Sequence, residues 1–438
     1  MRHAPVDKLA RLAPEDADLV RRDGDLPGLT TLLDPQSFLE AMNGALPEAG
    51  IAAAEPLYAR YKPQMNLLLQ YALQTQSGEE SLVYAKAYGP DAPPHLEKAR
   101  NKPGITGSLG TKCFVIEDLK MVVSPFPNDS RLKQLRYLED KGGVKKMLRG
   151  LCIAAKNPAP LETLRYKPER RYVARYAGGD GAVVKFYAPG DYERAESNAS
   201  AFEEGFKRTG PLRLARMLGG SEEYAAISTE WAEGRNLEEV LRSPSDGEEV
   251  ARLAGAALAE LHAQDVRGLK YTTRQEEVND LSVLGSGLAF TLPDLAVETY
   301  ALVGRLAPEM LAAPLEPVPV HGDFYDEQAI VAGDHITILD LDRATFGDPA
   351  SDLGNFAAHL ERDALSGELT REDVRRLEQA LLDGYDPRGN SEVRGRFALY
   401  KAAGLLKLAP EPFRRRRAGW PDETRGIIHR SREILDAG

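Results

Sequence analysis

The run Arg-Tyr-Lys-Pro occurs twice in this chain, and each time the residues that follow keep the same order. Arg60-Tyr61-Lys62-Pro63 precedes Leu67-Leu68-Leu69-Gln70-Tyr71 and then Tyr84-Ala85-Lys86-Ala87-Tyr88-Gly89-Pro90-Asp91. Arg165-Tyr166-Lys167-Pro168 precedes Tyr172-Val173-Ala174-Arg175-Tyr176 and then Val184-Lys185-Phe186-Tyr187-Ala188-Pro189-Gly190-Asp191. Short aromatic and aliphatic runs bounded by Pro and Gly read as strands. Each copy therefore predicts three strands, and the pair predicts an internal structural repeat in which Lys86 corresponds to Lys185.

A second constellation carries chemistry. His321-Gly322-Asp323-Phe324-Tyr325-Asp326-Glu327-Gln328 is followed by Asp340-Leu341-Asp342. Between them, Ala329-Ile330-Val331 and Ile336-Thr337-Ile338-Leu339 read as apolar strands, and Ala332-Gly333-Asp334-His335 carries the residues that turns favour. A hairpin therefore returns Asp340 to the end where Gln328 started. There the two offer a side-chain carbonyl and a carboxylate, oxygen ligands of the kind Mg²⁺ accepts alongside phosphates and water. Asp323, on the loop entering that site, is placed to accept the proton of an attacking hydroxyl. A lone His-Gly-Asp tripeptide is equally compatible with aspartates that cap turns or face solvent. The surrounding order distinguishes the two.

Downstream stands Gly347-Asp348-Pro349-Ala350-Ser351-Asp352-Leu353-Gly354. With this run, the chain from roughly residue 160 to roughly 430 resembles the aminoglycoside phosphotransferase family, relatives of protein kinases that phosphorylate small molecules. The resemblance implies an α+β, bilobal protein-kinase-like fold with a small β-rich lobe and a large helical lobe, using ATP and Mg²⁺. It implies Asp323 as the base, Gln328 and Asp340 as metal ligands, and Asp342 as a secondary or substrate-facing acid. Lys185 would clamp the nucleotide phosphates from a strand pair joined by Gly178-Gly179-Asp180-Gly181. To orient it, the helical segment from Glu193 to Lys207 offers Glu193, Glu196, Glu203 and Glu204, of which the first three share a face. Glu196 is the choice among them, a solvated acidic face being the alternative. Ile227-Ser228-Thr229-Glu230-Trp231-Ala232-Glu233-Gly234 resembles the family's hinge, so the Glu230 carbonyl and the Ala232 amide would meet the adenine edge. Substrate contacts are expected from Tyr325, Asp326 and Glu327, and from the helix carrying Asn355, His359 and Glu361. His321 is expected to brace the loop, and His262, ending an Ala-rich helix, to pack or cap.

Two departures from the family pattern shape the expectation. Gln328 stands where Asn is usual, which resembles the maltokinase and glucosamine-kinase branch and leans the acceptor toward sugars or amino sugars. Arg165-Tyr166-Lys167-Pro168-Glu169-Arg170-Arg171 has no glycine where many kinases lay a Gly-rich flap. Basic side chains in place of backbone amides are one reading of it, and solvated arginines the other. The N-terminal copy of the repeat lacks a second His-Gly-Asp motif, so it reads as a degenerate small lobe acting as a cap, lid or dimer surface, with Lys86 structural.

The expected organisation is a cap at 1–150, a small lobe at 151–235 and a large lobe at 236–438. Asp and Glu number 67 against 56 Lys and Arg, a net charge of -11 that argues against a nucleic-acid partner. Two isolated cysteines, Cys113 and Cys152, exclude a disulfide framework or zinc site. The absence of a long apolar run leads to the expectation of a cytoplasmic enzyme without a membrane partner. The basic run Arg414-Arg415-Arg416-Arg417 reads first as a solvated or interdomain face and second as a phosphate or partner contact. Taken together these features predict transfer of the ATP γ-phosphate to a hydroxyl of a sugar, amino sugar or related small molecule, with a possible homodimer through the cap. The alternatives are an aminoglycoside antibiotic kinase and a nucleotide-binding pseudokinase. Retention of Lys185, Asp323 and Asp340 weighs against the second, and the lack of an Ala-Pro-Glu motif after Asp340 weighs against a protein kinase.

Overall fold

Both copies of the repeat fold as five-stranded antiparallel sheets with one topology. The computed structural model describes residues 9–154, 160–243, 245–386, 388–389 and 392–437. The first sheet contains β1 (Ile51–Lys62), β2 (Asn66–Thr75), β3 (Glu80–Tyr88), β4 (Phe114–Ile116) and β5 (Met121–Pro125), ordered β1-β2-β3-β5-β4. The second contains β6 (Leu161–Lys167), β7 (Arg171–Tyr176), β8 (Ala182–Tyr187), β10 (Met217–Ser221) and β11 (Ala226–Glu230), ordered β6-β7-β8-β11-β10. In each, a helix follows the third strand, Ala92–Asn101 in one and Tyr192–Gly205 in the other. Lys86 lies across from Leu68 and Val122, and Lys185 across from Val173 and Ile227, so the two lysines occupy the same seat of their sheets.

The equivalence extends to a buried lock at the first hairpin of each sheet. Gln64 and Glu169, each three residues after the repeat tyrosine, are non-glycine residues at φ 61° and 60°. Such a backbone costs on the order of 1–3 kcal/mol and persists only where the surroundings impose it. An aspartate does so in both copies. Asp23 Oδ2 accepts from the Tyr61 hydroxyl at 2.5 Å and the Gln64 amide at 2.9 Å. Asp129 Oδ2 accepts from the Tyr166 hydroxyl at 2.9 Å and the Glu169 amide at 2.8 Å, while its Oδ1 takes the Arg131 and Leu132 amides, both at 2.8 Å. Neither aspartate belongs to the runs by which the repeat is visible in the sequence.

The N-terminal unit is built into the rest of the molecule. Leu67, Leu69 and Tyr71 of β2 share a continuous apolar core with the large-lobe helices Arg274–Thr291, Ala296–Ala312, Glu392–Leu408 and Trp420–Ala437. Leu68 and Gln70, on the opposite face of β2, are buried as well, so both faces are covered, which explains a run of apolar residues without alternation. Arg416 meets Asp16 at 2.6 Å in a pair almost wholly removed from solvent, so one member of the basic run serves the interdomain face. Leu132, Leu135, Met147 and Leu148 pack with Tyr172, Val184 and Phe186 of the second sheet, although they fall before the boundary drawn at residue 150.

The large lobe is helical apart from two small sheets. β14 (Ala329–Ala332) and β15 (His335–Ile338) form the expected hairpin, paired Ala329 to Ile338, with β12 (Arg235–Asn236) and β9 (Leu212–Leu214) at its edges. β13 (Val318–Val320) pairs with β16 (Thr345–Gly347) and leads directly into the His321-Gly322-Asp323 loop. The helices Arg274–Thr291 and Arg371–Tyr385 start with capping boxes, Thr273 with Glu276 and Thr370 with Asp373. Among the described residues both cysteines are free and no helix is long and apolar enough to cross a membrane. The architecture is the α+β bilobal, kinase-like one with an added N-terminal small lobe.

Because Asp129 satisfies four buried donors, Asp129→Ala is expected to cost about 2–4 kcal/mol and Tyr166→Phe about 1 kcal/mol. Urea unfolding measures both, and equal, small losses would contradict the lock.

Candidate active site

The site is assembled where the β14–β15 hairpin meets the second sheet. The amide of Leu339 donates to the Gln328 carbonyl at 2.9 Å, which closes the open end of the hairpin and sets Gln328 beside Asp340. Asp340 itself adopts φ 60° and ψ 59°, a strained conformation of the kind found at functional sites. Both residues line a cavity of about 750 Å³ between the lobes.

Across the cleft, β7 and β8 present two cations to two aspartates. Lys185 Nζ lies 2.9 Å from Asp340 Oδ1 and 3.6 Å from Asp342 Oδ1. Arg171 Nη1 lies 2.7 Å from Asp340 Oδ2 and 3.2 Å from Asp342 Oδ2. The Tyr187 hydroxyl donates to Asp342 Oδ1 at 2.9 Å. Burial alone would push the Asp340 carboxyl up, but Lys185 and Arg171 beside it hold it well below the usual carboxylate range. Burial pushes Asp342 up against the pull of Lys185, and the charge of Asp340 adds to the rise. The two carboxyls thus shift in opposite directions, although Lys185 and Arg171 pull on both. Asn198, buried on the helix Tyr192–Gly205, ties this turn down by donating to the carbonyls of Leu341, Asp342 and Ala344 at 3.1, 3.2 and 3.0 Å.

The loop carrying Asp323 is fixed from below by Asp352. Its Oδ2 accepts from the His321 amide at 2.7 Å and lies 3.0 Å from His262 Nε2, and its Oδ1 accepts from the Gly322 amide at 2.9 Å. His262 Nδ1 in turn sits 2.9 Å from the Tyr385 hydroxyl, so this histidine braces the loop. His321 does the same: Nε2 donates to the Leu339 carbonyl at 2.7 Å and Nδ1 accepts from the Asp323 amide at 3.3 Å. Gly322, at φ 78°, has the Arg343 carbonyl 2.5 Å from where a Cβ would stand, so only glycine fits. The result is an Asp323 side chain held 46% exposed, 3.8 Å from Arg343 Nε.

Several expected roles change once the side chains are placed. Glu196 does not take up Lys185, which is held by Asp340 and Asp342. Of the acidic residues on that helix it is Glu203 that lines the cavity, since helix spacing defines a face and not the direction it points. Asp342 faces the second sheet and its cations, not an acceptor. Asp326 is 2% exposed, and burial pushes its carboxyl up to about 7, so it lies beneath the loop. Asn355 donates to the Phe324 carbonyl at 2.8 Å and is spent on the loop backbone. His359 is buried with its ring stacked on Tyr325 at 4.2 Å, where it supports Tyr325 from behind. Glu361 is occupied by Arg430 and Lys401. Glu327 remains at the cavity, 3.6 Å from Arg165, with Tyr325 3.4 Å from its Oε2. Glu230 and Ala232 line the cavity with Trp231, whose ring packs on the Arg175 guanidinium at 4.1 Å.

Arg171 and Asn198 were not singled out from the sequence. The only signal for Arg171 is its place beside the glycine-free turn, and for Asn198 an amide among the buried positions of an otherwise ordinary helix. Lys167, ending β6, lies 5.7 Å from the Tyr58 ring of the N-terminal sheet, and burial lowers its ammonium to about 8.

A lysine on the third strand of a small sheet, an aspartate on a braced loop, and a hairpin carrying a second carboxylate opposite that lysine define a kinase-like phosphotransferase fold and site. Residues 169–400, just over half of the chain, match the model of the phosphotransferase enzyme family, and the chain belongs to that family. No curated protein matches its sequence. The solved structures similar to it include a choline/ethanolamine kinase family protein from Mesorhizobium loti, with 17% identity over 67% of this chain and 94% of that one and a TM-score of 0.46. Choline kinase LicA from Streptococcus pneumoniae has 16% identity over 67% and 99%, with a TM-score of 0.45. A thermostable mutant of aminoglycoside phosphotransferase APH(4)-Ia, in complex with ADP and hygromycin B, has 16% identity over 67% and 98%, with a TM-score of 0.48.

Asp352→Ala would leave two buried loop amides and His262 without their acceptor, so it is expected to cost about 3 kcal/mol in urea unfolding. A loss under about 1 kcal/mol would contradict its role as the brace of the loop.

Proposed function

We propose that this protein transfers the γ-phosphate of ATP, with Mg²⁺, to a hydroxyl of a sugar, amino sugar or related small molecule. The observation that supports this most directly is that Gln328 and Asp340 line a cleft together with Lys185 and Arg171, while Asp323 stands on the loop that His321 ties to Leu339, next to Asp340. Asp323 is exposed enough to reach an acceptor hydroxyl and take its proton. Its loop is braced by His321 and Asp352, so its position does not depend on the substrate. Lys185 and Arg171 supply the positive charge for the nucleotide phosphates, the electrostatic work on which phosphoryl transfer chiefly depends. The hinge residues Glu230 and Ala232 lie at the end of β11, at the edge of the same cavity, where their backbone would meet the adenine.

The donor set fits a divalent cation. Gln328 and Asp340 are oxygen donors set side by side, and Asp340 Oδ1 is a buried atom that receives no directed hydrogen bond although Lys185 is near. When bound there, Mg²⁺ would neutralise charge on the phosphates and on Asp340. In this reading the acceptor would meet Tyr325 and Glu327, 3.4 Å apart, and Arg343, 3.8 Å from Asp323, with Lys167 and the Tyr58 ring, 5.7 Å apart, beyond. Gln328, in place of Asn, is what favours sugars or amino sugars over aminoglycoside antibiotics as acceptors. In this reading the N-terminal cap, small lobe and large lobe follow the 1–150, 151–235 and 236–438 division, with the segment from Leu132 packing against the small lobe.

The test is ATP consumption across monosaccharides, amino sugars, maltose and aminoglycosides. Turnover on one class is expected to disappear without Mg²⁺ and to fall about 10²- to 10⁴-fold in Asp323→Ala. Turnover unchanged by that substitution would refute the assignment, and turnover confined to aminoglycosides would move the acceptor to the antibiotics.

A further inference from the structure

The seat of Lys86 in the N-terminal sheet is the seat of Lys185 in the working one, and Arg60 stands where Arg165 stands. In the working lobe these positions face the cleft. In the N-terminal lobe they face a side chain of this same protein. Glu169, at the tip of the β6–β7 hairpin, is 4% exposed and places its carboxylate on both cations. Its Oε1 and Oε2 lie 3.1 and 2.8 Å from Lys86 Nζ, Oε2 lies 2.5 Å from Arg60 Nη2, and Oε1 accepts from the Ser130 hydroxyl at 2.8 Å. Arg60 Nη1 also donates to the Pro168 carbonyl at 3.3 Å. Burial works against the charged form of Glu169, yet Lys86 and Arg60 hold its carboxyl below the usual range.

We propose that the anion site of the duplicated lobe is occupied by Glu169, and that Glu169 is thereby a positioning residue for the phosphate-binding cations of the working lobe. This rests on the phosphotransferase reading above. The β6–β7 turn sits where kinases lay a flexible glycine-rich flap, but it has no glycine, and the Glu169 amide is already given to Asp129. The turn therefore offers no free amide at that position, and the positive charge comes from Arg165 and Arg171 on the strands that flank it. Arg171 reaches Asp340 and Asp342 only from a hairpin held at the right height, and Glu169 is the point where that hairpin is pinned. The N-terminal lobe, having lost a catalytic loop, retains the cations of a nucleotide site and uses them to hold a carboxylate in place of a phosphate.

Calorimetric titration of the full chain with MgADP and, separately, with adenosine tests this. Glu169→Gln and Lys86→Met are expected to weaken MgADP about tenfold, a size typical of coupling between sites, while adenosine affinity stays unchanged because only the phosphate end is disturbed. Lys86→Arg, which keeps a cation for Glu169, should restore MgADP binding. Thermal melts establish that each variant is folded, and Lys86→Met keeps the test open if Glu169→Gln proves unstable, since Arg60 still pairs with the carboxylate. Unchanged MgADP affinity in a folded variant would overturn the proposal, as would an equal loss of MgADP and adenosine affinity. A wild-type chain that binds neither ligand would instead overturn the phosphotransferase reading on which it rests.

Discussion

The structure depends on one partly buried charge cluster, Arg171 and Lys185 of the small lobe against Asp340 and Asp342 of the large one. Charges withdrawn from water are expensive, and a pair that loses one partner costs up to about 3–5 kcal/mol when fully buried and less at a partly open cleft such as this one. Each side of the cleft therefore requires the other. The requirement fixes the hairpin that brings Asp340 to Gln328, the turn that Asn198 ties to the small-lobe helix, and the height of the β6–β7 strands. A nucleotide with its metal would enter a site whose cations and carboxylates already balance, so binding exchanges ion pairs and creates no unpaired charge.

The duplication explains how the chain keeps the glycine-free turn in place. In both sheets a buried aspartate accepts the tyrosine hydroxyl and the turn amide, and a non-glycine residue is held in the left-handed region as a result. In the second sheet the turn is also gripped from outside, by Lys86 and Arg60 of the first. The two lobes share an architecture and differ in what their cations face: the cleft in one, the neighbouring lobe in the other. That difference follows from chemistry, because the N-terminal copy has no catalytic loop to supply a carboxylate and must find one elsewhere.

Much of this was legible in the sequence. The repeated Arg-Tyr-Lys-Pro runs gave the three strands of each copy and the equivalence of Lys86 and Lys185, because strand order survives in local patterns. The turn residues Gly333 and Asp334 between two apolar runs were enough to return Asp340 to Gln328, and the resemblance supplied Asp323. What was not legible are directions and partners across the fold. Spacing put Glu193, Glu196 and Glu203 on one helix face without saying which of them looks into the cleft. Asp326 follows Asp323 closely in the chain, and Asn355 and His359 follow Asp352, but the loop and helix turn them inward, beneath the loop, toward Phe324 and behind Tyr325 respectively. Asp23 and Asp129 escaped notice because the residues they join are some 40 positions away, beyond any local pattern.

In the proposed function, the inter-lobe cleft binds a metal–nucleotide complex through Asp340. Electron paramagnetic resonance of free Mn²⁺, titrated into the full chain with and without ADP, tests it in wild type and in Asp340→Asn. The account predicts Mn²⁺ uptake that requires ADP and is lost in the variant. Equal uptake by both proteins, or ADP binding by the wild type without any uptake of Mn²⁺, would contradict it.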